Sequence, residues 1–202
     1  MRCRLSLLTV VVALNGCTVV SSIQPLVADG SAIAEPRLLG DWQLTSADDT
    51  SLTQVQVTEV KIPGVPFTNT YAIRSLSGSD TLWYEARLGP FTRNTWLLDV
   101  TAGDTARWGR YAGLLVPTYI QVVVERSASG LEFGFFNTDS LRVALDSQRL
   151  RTPYFHFGGV PGDYMFTGEP AALRAALSTF AMQPGALVHL SREGHRLTIP
   201  KW

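Results

Sequence analysis

The chain has 202 residues, of which 46% are hydrophobic, and its 17 basic side chains balance its 17 acidic ones. A neutral chain without a basic stripe lacks the electrostatic footprint of a nucleic-acid-binding protein, so that class is excluded. The length predicts one domain, large enough to be stabilised by its apolar core.

The first residues have the pattern of an export signal. Arg2 and Arg4 form a short basic start, and a mostly apolar run follows from Leu5 to Leu14. A helix needs roughly 20 apolar residues to span a bilayer, so this run is too short to do so. The pattern predicts a secretory signal peptide over residues 1–16.

The end of this run resembles the lipobox of bacterial lipoproteins, in the sequence Leu14-Asn15-Gly16-Cys17. The resemblance implies cleavage before Cys17, a diacylglycerol on its sulfur and a fatty acid such as palmitate on its amino group. Several acyl chains on one residue would anchor the protein stably to a membrane. Thr18 follows the cysteine where an aspartate would retain the protein, which implies the outer membrane, facing the periplasm. The alternative is an ordinary signal peptide with a chance cysteine.

Residues 17–35 show little periodicity and contain several turn-forming residues, which predicts a lipidated tether ahead of a domain at 36–202. Cys3 would leave with the signal peptide and Cys17 would be acylated. We therefore expect a domain without disulfides, even in an oxidising compartment.

From Pro36 onwards, apolar and polar residues alternate in short runs separated by turn clusters, which predicts antiparallel strands. The count, about eight to ten, is enough to close an up-and-down barrel. Four of these strands are predicted late in the chain, at 154–157, 164–166, 186–192 and 196–199. The apolar residues predicted to share a face are Trp42 and Leu44; Val55 and Val57; Tyr71 and Ile73; Leu82, Tyr84, Ala86 and Leu88; Trp96, Leu98 and Val100; Ile120, Val122 and Val124; and Leu131, Phe133 and Phe135.

Two segments have helical spacing of their apolar residues, at 139–147 and at 167–182, which predicts two accessory helices lying on the sheet. The segment 101–117 is long for a hairpin connection and contains Trp108. It is either a surface loop pinned by aromatic residues or a lid over the mouth of the barrel.

The motif Gly40-Asp41-Trp42 at the first strand resembles the Gly-x-Trp signature of lipocalins. In that family the glycine permits a tight turn into the strand, and the tryptophan plugs the closed end of the barrel. An arginine of the last strand packs over the indole, and Arg192 is the residue that fits here. The resemblance implies an all-β, lipocalin-like barrel, although the additional helix at 139–147 and the lack of a disulfide depart from the family pattern.

The chain also resembles small uncharacterised bacterial proteins, many of them lipoproteins, that have no assigned activity to transfer. The segments that carry this resemblance are Gly40-Asp41-Trp42, Glu85-Ala86-Arg87-Leu88-Gly89, Leu97-Leu98-Asp99-Val100, Leu115-Val116-Pro117 and Leu173-Arg174-Ala175-Ala176-Leu177.

Motifs for catalysis or cofactor binding are missing from the sequence. There is no Gly-x-Ser-x-Gly elbow, no phosphate-binding glycine loop and no dinucleotide fingerprint. The three histidines have no His-x-x-x-His spacing, and His156 and His189 fit core or rim positions better than metal ligands. The sequence therefore predicts a non-enzymatic protein without cofactor or metal.

The leading functional hypothesis is a membrane-anchored lipoprotein that binds a small apolar ligand, such as a fatty acid or lipid fragment, inside the barrel. The aromatic residues expected to line its pocket are Tyr84, Trp96, Trp108, Phe133 and Phe135. Aromatic residues also fill solid cores, so a protein-interaction or envelope-assembly module is the alternative. An open apolar cavity would favour the first hypothesis, and a filled interior beside an exposed apolar patch would favour the second.

Overall fold

A computed structural model describes residues 20–46, 52–60, 69–77, 80–103, 118–128, 130–156 and 164–199. The predicted signal peptide, Cys17, Trp108 and most of the segment 101–117 lie outside these residues.

The described residues are mostly β-strand with two α-helices, as the sequence predicts. The helices are α1 (Thr138–Asp146) and α2 (Pro170–Ala181), and neither is long and apolar enough to cross a membrane. The strands are β1 (Val20–Ser22), β2 (Gly40–Ser46), β3 (Leu52–Glu59), β4 (Thr70–Ser77), β5 (Asp80–Pro90), β6 (Thr95–Ala102), β7 (Tyr119–Ser127), β8 (Gly130–Phe136), β9 (Tyr154–His156), β10 (Tyr164–Phe166), β11 (Leu187–His189), β12 (Ser191–Glu193) and β13 (Arg196–Ile199).

Seven consecutive strands, β2 to β8, form the predicted antiparallel meander, in which each strand pairs with the next along the chain. The prediction of a purely antiparallel sheet is wrong at two places, because β13 pairs in parallel with β2 and β1 pairs in parallel with β10. Both pairs join segments far apart in the chain. Alternation shows that a strand exists, but it cannot show which distant strand pairs with it.

The described strands form one mixed sheet whose ladders do not close into a ring. The nearest approach to closure is at the end of the chain, where β11 pairs with β8 and β12 pairs with β13. Only Leu190 separates β11 from β12, and its amide donates to the carbonyl of Phe133 at 2.8 Å. One short segment therefore contacts both β8 and the strand that pairs with β2.

Each face of the sheet buries its own apolar cluster. The inner face is defined here as the one that carries Trp42, and its buried cluster also includes Leu38, Leu88, Leu131 and Phe133. The outer face is covered by the two helices, by β1 and by β9–β10. The apolar cluster between this face and the helices includes Leu97, Phe136, Leu141, Tyr164, Phe166, Leu173, Leu177 and Phe180. Period-two alternation in the strands produces this division.

The segment predicted as a tether packs on the sheet over part of its described residues, 20–35. Val20 lies in β1, between β7 and β10, and Leu26 and Val27 are 3% and 0% exposed. Apolar side chains in a polar context gain about 25 cal/mol per Å² on burial, which favours packing over a solvated linker.

A buried carboxylate holds this segment to the sheet. Asp99 of β6 accepts hydrogen bonds from the amides of Leu26 and Val27, at 2.5 and 2.7 Å. The side-chain amide nitrogen of Gln121, Nε2, lies 3.5 Å from the other carboxylate oxygen. Burial raises the pKa of Asp99, while the amide hydrogen bonds act in the opposite direction. The carboxylate satisfies two backbone donors that burial would otherwise leave unpaired.

We expect Asp99→Ala to lower the free energy of unfolding by about 2 kcal/mol, because two buried N–H groups lose their acceptor. Amide hydrogen exchange at Leu26 and Val27 should accelerate more than exchange in β3. Asp139→Ala, which removes an exposed carboxylate on α1, is the matched control and should change stability by less than about 0.5 kcal/mol. Unchanged protection at both amides would show that Asp99 does not hold the segment.

Candidate functional site

The side chain of Trp42 is buried at one end of the inner face, and local geometry fixes its position. Its indole N–H donates to the carbonyl of Leu38 at 2.9 Å, where the short 3-10 turn Pro36–Leu38 precedes β2. Gly40 has φ +120°, a conformation that side-chain-bearing residues rarely adopt. The glycine of the Gly-x-Trp motif therefore permits the turn that brings the indole inward.

The structure places Arg192 over the indole of Trp42, at the position expected from the sequence. The guanidinium carbon lies 5.3 Å from the ring centroid, within cation–π range. Its nitrogens also donate to the carbonyls of Leu131, at 2.7 Å, and Gly194, at 2.6 Å. A Cβ at Gly130 would lie 2.4 Å from the same guanidinium, which would then have to shift, and the φ of +132° favours glycine at this position.

Two more rings complete the cluster around Trp42. The imidazole of His195 stacks on the indole with centroids 4.6 Å apart and an interplanar angle of 11°. Phe133 meets the indole edge-on at 5.5 Å. These aromatic contacts fill this end of the inner face, which we call the plugged end.

An ion-pair network around a buried carboxylate lies beside the plugged end. The carboxylate of Glu35, 5% exposed, pairs with Arg37 at 2.8 Å and with Arg126 at 3.0 Å. Hydrogen bonding from Arg37, with a smaller contribution from Arg126, lowers the pKa of Glu35 from 4.5 to about 2. The amide of Glu35 donates to the hydroxyl of Tyr71 at 2.6 Å, which ties the network to β4.

The residues predicted to line an apolar pocket do not all have the same surroundings. Phe133 belongs to the plugged end, and Trp96 is covered by the guanidinium of Arg126 at 4.8 Å. Tyr84 and Phe135 are only partly buried, and burial raises the pKa of Tyr84. Trp96 is also only partly buried, so Phe133 is the buried residue among these four. Trp108 lies outside the described residues.

The inner face also carries apolar residues that are only partly buried. The partly buried residues packed against the inner cluster include Leu44, Val55, Val57, Ile73, Val100, Val122, Phe135 and Leu197. They alternate with polar or exposed neighbours along β3, where the inward positions are half-buried and the outward ones are exposed. We call this set the open apolar face.

A second concavity has a different character. A groove of about 730 Å³ runs beside β2, β3, β4 and the turn before β13, and polar side chains make up most of its lining. These include Asp41, Gln43, Gln54, Gln56 and Arg74, which lie on the opposite face from Trp42 by strand alternation. This groove does not coincide with the apolar pocket expected from the sequence.

The sequence patterns did not reveal that His195 belongs to the plugged end. They also did not reveal the neighbouring ion pair of Glu35 and Arg126. One signal was present, since the inward alternation of Val122 and Val124 continues to Arg126. An inward arginine needs a carboxylate partner, but that partner is 91 residues away along the chain. No short-range pattern could identify it.

Comparison of the chain with protein-family models, curated proteins and solved structures finds no match. The resemblances to lipocalins and to bacterial lipoproteins therefore rest on the quoted motifs alone.

The pKa of Glu35 predicts a specific acid dependence of stability. A carboxylate with a folded-state pKa of about 2 and an ordinary value of 4.5 stabilises the fold above pH 4.5, and loses this contribution as pH falls to about 2. We expect Glu35→Gln to cost about 2 kcal/mol at pH 7, allowing for the solvent exposure of the paired arginines.

The measurement is urea unfolding of the wild type and the Glu35→Gln variant from pH 7 to pH 2, where the difference in stability should shrink below pH 4.5. Glu193→Gln changes an exposed carboxylate of β12 and serves as the control. A difference between wild type and Glu35→Gln that stays constant across this pH range would contradict the assignment.

Proposed function

We propose that this protein is a lipid-anchored protein of the bacterial envelope, with a lipocalin-like barrel that holds a small apolar ligand. The open apolar face carries the proposal: it combines apolar strand residues with incomplete burial on the inner face of the meander. Such a surface is unfavourable in water unless something apolar occupies it.

Barrel closure is the first element of the proposal. Its support is the path β2 to β8, β8 to β11, and β12 through β13 back to β2, in which Leu190 bridges the gap between the ladders of β11 and β12. The contact between Trp42 and Arg192 spans the same junction. A barrel plugged at this end would open at the other end, and the open apolar face would line its interior.

The lipid anchor is the second element. If Cys17 carries the acyl chains, only two residues separate it from Val20, the first residue of β1. Three residues reach at most about 11 Å, so no long flexible linker would separate the domain from the bilayer surface. A ligand entering from the membrane would then have a short path to the protein.

Ligand binding can be tested with a pair of adjacent residues on β4. Ile73 belongs to the open apolar face, whereas Ala72 points to the other side of the strand. We expect oleate to bind the purified protein and to quench its tryptophan fluorescence. Ile73→Gln should weaken this binding about tenfold, because a buried amide without a partner costs at least about 1.4 kcal/mol, while Ala72→Gln should leave it unchanged.

Equal quenching by both variants would place the fatty acid elsewhere. No quenching at all, together with no lipid in a mass-spectrometric extract of the purified protein, would remove the apolar-ligand proposal and favour the interaction module.

The anchor has its own test. Replacement of Cys17 by Ala should move the protein from the membrane fraction to the soluble fraction, since no acyl chain could then be attached. Replacement of Cys3 by Ala is the control, because that residue would leave with the signal peptide. Membrane fractionation that is unaffected by Cys17→Ala would show that the anchor is wrong, without affecting the ligand-binding test.

A further inference from the structure

We propose that Glu125, Glu132 and His189 form a binding site for a divalent transition-metal ion of the zinc class. The three residues lie on the outer face, on β7, β8 and β11 respectively. One ligand atom from each, two carboxylate oxygens and an imidazole nitrogen, can be chosen so that all lie within 4.8 Å of one another. This inference depends neither on the apolar ligand nor on the lipid anchor.

Strand register brings the three side chains together. Glu125 is directly paired with Glu132 between β7 and β8, and His189 is paired with Gly134, the next outward residue of β8. Residues directly opposite each other on neighbouring antiparallel strands have Cβ atoms about 5 Å apart. The backbone of the sheet therefore holds the site, and long flexible loops are not required.

Gly134 is the residue of β8 that the imidazole of His189 contacts. The ring of His189 lies over this glycine, with its Nδ1 3.5 Å from where a Cβ would be. A glycine inside a strand weakens the strand and commonly marks a close approach of another group. Here the approaching group is the third ligand, which reaches across β8 towards Glu132.

The two carboxylates have no neutralising partner among the described residues. No hydrogen bond or ion pair of Glu125 or Glu132 is found there, unlike Glu35, which has two arginines. Like charges placed directly opposite each other destabilise a sheet. A divalent cation would supply the positive charge that this site lacks. Each carboxylate would then be attracted to the cation, which offsets their mutual repulsion.

The donor set selects the class of ion. One imidazole with two carboxylates is a three-ligand set that suits zinc and leaves a fourth position for water. Tetrahedral ligands on zinc are roughly 3.4 Å apart, so the glutamate side chains would close by about 1 Å through rotamer changes. Partial exposure of all three residues gives an ion a path from solvent.

A bound ion would strengthen the short pairing between β11 and β8. β11 pairs with β8 over three residues, Leu187 to His189, and this pairing brings the end of the chain back to the meander. A metal bridge from His189 to β7 and β8 would clamp this short ladder. Binding to the folded state alone raises stability by mass action.

The test uses the full chain with both cysteines replaced by Ser, so that no thiol competes for the ion. We expect isothermal titration with Zn²⁺ to give one site of micromolar or tighter Kd, and Zn²⁺ to raise Tm. Glu132→Gln and His189→Ala should each weaken binding on the order of 100-fold, since even outer-shell changes cost about 10–100-fold. Glu193→Gln, an exposed carboxylate outside the site, is the matched control.

A second readout does not depend on the folding of any variant. In the unsubstituted site, Zn²⁺ should shift the NMR resonances of the His189 ring nitrogens and leave those of His195 in place. Equal Zn²⁺ affinity in all variants, or a shift confined to other histidines, would overturn the proposal. So would the lack of any saturable binding below about 1 mM, a concentration at which even weak sites are occupied.

Discussion

The burial of one indole, that of Trp42, is the contact on which the described architecture depends most. It joins the start of β2 to three other parts of the chain: the 3-10 turn through Leu38, β8 through Phe133, and the end of the chain through Arg192 and His195. Because these partners are far apart in sequence, they meet only when the meander has curved. The indole thus couples the curvature of the sheet to the packing of both ends of the chain.

The period-two alternation of apolar residues predicted β2 to β8 well, because one face of each of these strands packs in the inner cluster. It could not predict the position of residues 20–35. That segment contains apolar residues but no regular period, and it is held by the carboxylate of Asp99, which lies more than 70 residues away. Long-range hydrogen bonds of this kind leave no local pattern.

The charged residues show the same limit. Asp99 and Arg126 both lie in strands that the sequence identifies, and both are involved in buried contacts. In each case a polar group inside a strand needs a partner, which could have been foreseen, but the identity of that partner could not. The partners are the backbone of the N-terminal segment for Asp99 and the side chain of Glu35 for Arg126. Both bind the N-terminal segment to the sheet, so this segment belongs to the folded domain.

The inner core also explains why two carboxylates stay opposite each other on the outer face. Glu132 lies between Leu131 and Phe133, which both pack against the inner cluster. A slip of β8 by one residue would separate Glu132 from Glu125, but it would also turn Phe133 away from Trp42 and Leu131 away from the core. Losing those buried contacts costs several kcal/mol, more than the repulsion between two partly exposed charges. The inner-face contacts of Leu131 and Phe133 therefore fix the register of β8. A bound cation would relieve the repulsion between the two carboxylates without changing that register.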